Sequence, residues 1–394
     1  MLGHNLRTMD HGTPGTLEPA APARLAAIAG ARRMLRGDHD WTGDGLIEPW
    51  IARSWQRCLA MGYEARRQLT FDQLPLAAMR RARDANHALT QAAAPVLQQL
   101  GRALAATRYF AILTNAQGVV VDVHGPIDRH DPRAALITRI GADLSERSVG
   151  TTAIGAALAE LQPVWLHRGE HFFDDAACYS CAGAPLFGPL GECVGMLDLT
   201  GVDAPERPEL KHLVAQSARG IENALVLRRP HALLLRLNWP GRHLGDDADG
   251  LVGLDRDGFV CTSNTAARQM VPRLGGAVPA RARGLHASEL FAMAFETLFD
   301  AARVAPAATE VPLWSGLRLQ ALALPADCPD AALAALPPAR RVAPPVPDQR
   351  RLKDIEAALI RTAVDEAKGN VALAAARLGV SRATVYRKLG NTRG

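Results

Sequence analysis

A chain of 394 residues is too long for one ordinary domain, so two or three are expected. Apolar residues make up 48% and charged residues 22%, no apolar run nears the ~18–20 residues that span a bilayer, and the first twenty residues lack the basic-then-apolar order of a secretion signal. A cytoplasmic protein is therefore the expectation. The formal charge is +5, yet residues 350–394 hold ten Lys/Arg against four Asp/Glu, so this tail carries +6 and the rest of the chain about −1.

In chain order, residues 1–43 are rich in Ala, Pro and Gly and are expected to be poorly ordered. Residues 73–108 place Ala, Leu and Arg at helical spacing, with an interruption expected at Pro95. Strand-like runs follow at 109–113 and 119–125 around a turn at 115–118, then at 162–167 and 192–201, and a helix closes the set over 208–228. Helices flanking an antiparallel sheet give an α+β domain. A softer boundary is expected over 227–245, where helical patterning gives way to Pro and Gly. Residues 248–271 show two short strands around the turn 255–258 and a helix from about Asn264. Runs over 310–324 complete a second, smaller α+β module. Prolines at 325, 329, 337, 338, 344, 345 and 347 mark a semi-rigid linker. The expected division is a poorly ordered 1–43, α+β domains over 44–228 and 232–325, a linker over 326–347 and an all-α domain over 348–394.

Candidate chemistry in the first domain clusters in a loop between Trp165 and Pro185. Trp165, His167, Glu170, His171, Phe172 and Phe173 combine apolar area with a few polar groups, as small-ligand pockets do, although taken singly Trp165, Phe172 and Phe173 read first as core and His171 as a hydrogen-bonded structural residue. The six cysteines (58, 178, 181, 193, 261, 328) are too sparse for a disulfide framework. Cys178 and Cys181 form a C-x2-C that, with His167 and His171, has zinc-capable residue types. The short gap between the pairs ranks buried or free thiols first, a redox pair second and a metal site third. Cys181 is expected to line the pocket and Cys178 to lie in a loop. No metal or cofactor is expected.

The basic tail carries the sharpest motif. Apolar residues at 352, 355, 359, 360, 363 and 364 recur at helical spacing up to Gly369. Asn370 can cap a second helix over 371–378, Gly379 supplies a turn, and Ser381 can cap a third helix running to Leu389. The small Ala374, Ala375 and Ala376 permit a close crossing over Val380, Val385 and Leu389. This is helix-turn-helix geometry, whose last helix enters the major groove. The residues Gly369-Asn370, Ala375-Ala376, the run 378–382, Thr384 and the run 386–389 resemble the DNA-binding domain of the Fis family, also found at the end of NtrC-like regulators. The resemblance implies DNA contacts by Ser381, Arg382, Thr384 and Arg387, with Lys388 and Arg393 more suited to phosphate.

Upstream, the segments at 51–58, 113–118, 141–158, 169–172, 181–186, 195–201 and 221–223 resemble the AcoR-like regulators of acetoin catabolism and their relatives. In that family this stretch is a GAF domain, an α+β sensor with an internal pocket. Thr152 stands where those relatives usually carry Asn. The opening of the second module is similar to a PAS domain. The resemblance implies an effector-responsive regulator with Trp165, His167, Glu170, His171, Phe172 and Cys181 near a small organic effector such as an alcohol, aldehyde or ketone. It also implies double-stranded DNA, RNA polymerase or a paralogous regulator as partners, and a homodimer. The four lysines (211, 353, 368, 388) fit no G-x4-G-K-[ST] phosphate loop, so an ATPase of the kind most such activators carry is not expected. Two other readings stay open: a GAF-type free methionine sulfoxide reductase or thiol sensor using Cys178 and Cys181, and a scaffold that only binds a partner regulator.

Overall fold

The strand-like runs assemble into two five-stranded sheets, paired antiparallel throughout, in a computed structural model. It describes residues 22–37, 46–71, 75–275, 284–304 and 307–325, together with positions 364, 367, 370, 371, 375, 382 and 385. The chain divides into one compact unit over Met1–Leu333 and a second over Ala334–Gly394. The α+β class expected from the sequence is the observed one.

Ahead of the first sheet come α1 (Pro22–Gly37), α2 (Pro49–Ala60), α3 (Leu76–Ala85) and α4 (His87–Ala103). Helix α1 corrects the expectation of little order before residue 44. Its Ala-rich sequence favours helix, and Ile28, Ala31 and Arg32 are buried against the domain that follows. The break in the helical stretch falls at Asn86, not at Pro95. The Asn86 side chain donates to the Ala82 carbonyl at 2.6 Å and ends α3, whereas α4 runs through Pro95. The proline leaves the Gln91 carbonyl without its helical N–H, and Arg228 donates to that oxygen at 3.2 Å instead.

The first sheet comprises β1 (Tyr109–Asn115), β2 (Val120–His124), β3 (Val164–His167), β4 (Tyr179–Phe187) and β5 (Cys193–Val202), in the order β2-β1-β5-β4-β3. Between β2 and β3 lie α5 (Pro132–Ile137), α6 (Glu146–Val149) and α7 (Ala153–Glu160), and α8 (Leu210–Leu227) follows β5. The Thr152 hydroxyl accepts from the Gly155 N–H at 3.1 Å and caps α7, so Thr does here what an Asn amide oxygen would do. Gly183 lets β4 pass close to α7: a Cβ there would sit 2.9 Å from the Ala153 carbonyl. Strand alternation splits the core in two. Ile112, Leu166, Cys181 and Met196 face one cluster, whereas Ala111, Trp165, Ala182 and Leu197 face α4 and α8.

The second sheet contains β6 (Leu233–Asn238), β7 (Gly250–Leu254), β8 (Val260–Ser263), β9 (Thr309–Pro312) and β10 (Arg318–Pro325), in the order β8-β7-β6-β10-β9. Helices α9 (Thr265–Met270), α10 (Ala287–Leu290) and α11 (Glu296–Val304) connect β8 to β9. The soft boundary expected over 227–245 thus holds the central strand β6, buried along its whole length. A strand covered on both faces shows no alternation, so its apolar run was indistinguishable from the end of a helix. Its one charge, Arg236, is neutralised by Asp249 at 2.8 Å. Asn264 caps α9 by accepting from Ala267 N–H at 2.8 Å.

Candidate ligand cavity and nucleic-acid interface

Residues on one face of β1, β4 and β5 floor a cavity of ≈ 30 Å³, roofed by the segment between β3 and β4 and by α6 and α7. Register brings its polar end together. Cys181 lies directly opposite Thr200, and Ile112 opposite Asp198, so Asp198 and Thr200, two residues apart, share the face of Ile112 and Cys181. The rest of the lining is apolar, including Leu144, Val149 and Ile154. A volume of this size accommodates about two to three water-sized spheres, which restricts an occupant to a few heavy atoms unless the walls give way.

Two buried acceptors among the lining residues have no hydrogen-bond partner among the described residues. Asp198 Oδ2 accepts from the Thr200 hydroxyl while Oδ1 has none. Burial pushes its pKa up to about 7, against the Thr200 bond that lowers it. His171 Nδ1 lies 2.9 Å from the Arg168 carbonyl, which can only accept, so the ring proton belongs on Nδ1. Nε2 is left as a bare lone pair, buried and unpartnered. Burial holds the His171 pKa down at about 4, with Arg32 adding to the effect and the Arg168 carbonyl opposing it. The imidazole is therefore neutral at physiological pH.

The segment carrying His171 is held from outside. Arg32 donates from Nη1 to the carbonyls of Gly169 (2.8 Å) and His171 (2.7 Å) and from Nη2 to that of Phe172 (3.1 Å), and pairs with Asp174. The Trp55 indole N–H donates to the Glu170 carbonyl at 2.9 Å. Arg24 bridges Glu170 at 2.9 Å and Glu206 at 2.7 Å. In turn, Ser54 on α2 lies 2.6 Å from Glu146 and 2.7 Å from Thr151, beside the cavity wall.

Of the six residues expected at the pocket, His171 and Cys181 line this cavity and the other four do not. Trp165 and His167 sit at the alternate positions of β3, on the sheet's opposite face. Trp165 packs 6.5 Å from Tyr109 among the α4 and α8 side chains, and His167 stacks on it at 6.3 Å while meeting Ser180 Oγ at 2.8 Å. Burial, helped by Arg168 and Arg24, holds the His167 pKa at about 4. The Glu170 carboxylate folds back to accept from the His167 N–H at 2.6 Å, and Phe172 is fully buried against Phe173. Reasoning from sequence missed Asp198 and Thr200. Their signal was a carboxylate and a hydroxyl at one-face positions of an apolar strand.

The four-ligand pattern does not converge, since His167 and Cys181 lie on opposite faces of the sheet. Among the described residues no group of three or more His, Cys, Asp or Glu is placed to share a metal ion. Cys178 ends a 3-10 turn and Cys181 is buried on β4. Burial raises both thiols, Cys181 strongly, which leaves them protonated and poorly nucleophilic at neutral pH.

In the C-terminal segment Val364, Val371, Ala375, Arg382 and Val385 are helical. Ala375 and Val385 are buried together, with Val364 and Val371 packed beside them. The Asn370 N–H donates to the Ala367 carbonyl at 3.0 Å, closing the turn at which the first helix was expected to end. Arg382 is exposed. Ser381, Thr384, Arg387, Lys388 and Arg393 lie outside the described residues.

Two family models match the chain: the MimR N-terminal domain over residues 45–223 and the bacterial regulatory protein, Fis family, over 351–390. The acetoin catabolism regulatory protein of Cupriavidus necator is 32% identical over 258 residues, covering 64% of this chain and 37% of its own. The propane 2-monooxygenase operon transcriptional activator MimR of Mycolicibacterium goodii is 30% identical over 182 residues, covering 45% of this chain and 30% of its own. The chain thus spans about a third of the length of these relatives. Among solved structures, a chain of the E. coli DhaR(N)–DhaL complex is similar with a TM-score of 0.43 and 16% identity, over 71% of this chain and 100% of that one. The chain thus carries, in one polypeptide, a match to the MimR N-terminal domain and a match to the Fis family of bacterial regulatory proteins, and it resembles the AcoR-like transcriptional regulators.

Proposed function

We propose that this chain is an effector-responsive, sequence-specific DNA-binding regulator of a small-molecule catabolic pathway, working in the cytoplasm as a homodimer. The carrying observation is the cavity beneath the His171 segment, whose two buried acceptors have no partner among the described residues. An unmade hydrogen bond at a buried polar group costs about 1–3 kcal/mol, so an occupant that completes both is favoured by that deficit. His171 Nε2 accepts from a hydroxyl. Asp198 Oδ1 accepts a second donor when ionised and donates to a carbonyl when protonated, and its pKa of about 7 keeps both forms accessible. With apolar walls and room for a few heavy atoms, the fitting class is a short alcohol, hydroxyketone, aldehyde or ketone. No turnover of the effector is expected. The sequence holds no phosphate loop, so output passes through RNA polymerase directly or through a paralogous regulator.

Calorimetric titration of the full chain with 2,3-butanediol, acetoin, 2-butanol and butanone tests the reading. Saturable binding by at least one compound, weakened tenfold or more by Asp198→Asn and by His171→Phe, is the expected result. Binding that ignores both substitutions, or none with any compound, removes the cavity from the account. Footprinting of upstream DNA with and without the binding compound then tests coupling to the helix-turn-helix.

A further inference from the structure

A second cleft, of ≈ 500 Å³, opens where the first sheet and α8 meet the second module. The cavity described above does not reach it. The modules are bolted together beside it: Asn264 donates to Asn223 at 2.8 Å, and the Ser263 N–H donates to the Pro189 carbonyl at 2.9 Å. The cleft is therefore preformed, lies between modules and falls within the about 300–1,000 Å³ common for small-ligand sites.

Its polar groups are in unusual states. Glu222 on α8 is only 4% exposed, and its Oε1 accepts the Phe187 N–H at 3.1 Å while Oε2 has no partner at hydrogen-bond geometry. The neighbouring Thr265 hydroxyl accepts from Arg268 at 3.3 Å and keeps its own O–H for Glu222; burial raises the Glu222 pKa, and Thr265, the Phe187 N–H and Arg268 lower it. Three residues earlier on the same helix, and so on the same face, Arg219 is exposed, and its side chain makes no hydrogen bond or ion pair among the described residues. Across from them stand Trp239, 42% exposed, and Met270, with Phe187 alongside. Among the described residues, a cation whose side chain has no partner, a buried carboxylate with one oxygen outside hydrogen-bond geometry and a half-open indole thus share one preformed cleft.

We propose that this cleft is a second ligand site, for a small amphipathic 2-hydroxy acid. Arg219 takes its carboxylate in the two-pronged geometry suited to a guanidinium. Glu222 Oε2 accepts from the hydroxyl, and Trp239 with Met270 covers the apolar body. Because α8 and α9 both line the cleft, such a ligand bears on how the first domain is joined to the second module.

Calorimetry on the full chain uses three probes, 3-phenyllactate, mandelate and 2-hydroxyhexanoate, with 3-phenylpropionate as the analogue lacking the hydroxyl. At least one hydroxy acid is expected to bind with one-to-one saturation and to quench indole fluorescence. Arg219→Ala, at an exposed position, should weaken it tenfold or more. Glu222→Gln, which keeps the acceptor for Phe187, should weaken the hydroxy acid and leave 3-phenylpropionate unchanged. Asp198→Asn in the other cavity should change neither. The proposal is overturned if no hydroxy acid saturates, if the Arg219→Ala chain binds as the parent does, or if Asp198→Asn alone abolishes binding.

Discussion

Asp198→Asn should change how stability depends on pH, in a direction fixed by the buried groups around it. Asp198 titrates near 3.8 in an unfolded chain and near 7 in the fold. The folded state holds the extra proton between those values, so the stability linked to Asp198 is full below pH 3.8 and is lost as pH rises to about 7. At ~1.4 kcal/mol per pH unit the loss is about 4 kcal/mol. His167 and His171 work in the opposite sense: both fall from 6.5 to about 4 on folding. Their linked stability is full above pH 6.5 and is lost as pH falls to about 4, by about 3 kcal/mol each on the same scale. Between pH 4 and 6.5 the parent chain therefore gains stability with the slope of one proton from these three groups, and the variant with the slope of two. The remaining carboxylates are common to both chains and cancel in the difference. Urea unfolding at pH 4.5, 5.5, 6.5 and 7.5, followed by tryptophan fluorescence, reads that difference directly. It should shift in the variant's favour by about 3 kcal/mol from the lowest to the highest pH. Parallel curves, constant within about 0.5 kcal/mol, would show that Asp198 is ionised throughout and refute the argument.

Arg32→Met keeps the aliphatic stem but strips three backbone carbonyls and Asp174 of their donor, and should cost about 3–5 kcal/mol of first-domain stability by denaturant titration. The same variant should weaken effector binding, because the freed segment carries His171. Arg382→Ala should lower affinity for the specific operator by about 1–3 kcal/mol while sparing a scrambled duplex if it reads a base; equal loss on both duplexes in a gel shift makes it a phosphate contact. Gly250→Ala should lower the melting temperature at a cost of about 1–3 kcal/mol, since a Cβ there meets the Ala267 backbone at 2.9 Å.

Element type was legible wherever local chemistry repeats. The hairpin β1–β2 announced itself through apolar runs around a Gly-containing turn, and its register returns the Asn115 N–H to the Val119 carbonyl at 3.0 Å. The helix start near Asn264 was legible for the same reason, a polar turn residue ahead of a helical run, and the structure shows its side chain capping that helix. Two strands escaped. β6 and β4 are each buried along nearly their whole length, and neither carries the alternation that marks a half-solvated strand. Helix α1 escaped for another reason: its order comes from Arg32 and Arg24 gripping residues more than 130 positions away, which no local window contains.

The difference between the expected pocket residues and those lining the cavity follows from the missed strand. Without β4, the stretch between the strand-like run 162–167 and Pro185 read as one loop, and side chains along a loop have no fixed facing, so its candidates were credited to one pocket together with Trp165 and His167 at the end of that run. Once β4 pairs with β3, with Leu166 opposite Cys181 and Trp165 opposite Ala182, parity decides each assignment. Leu166 and Cys181 go to the cavity side, and Trp165 and His167 go to α8. Parity on β5 likewise turns Asp198 and Thr200 inward beside Cys181. A one-residue slip in that register would exchange the faces and remove the carboxylate from the cavity. The spacing of 198, 200 and 181 is therefore the part of the site that resides in the backbone ladder. His171 is held instead by side-chain bonds from α1 and α2 to the segment that carries it, contacts that no local window of the sequence contains.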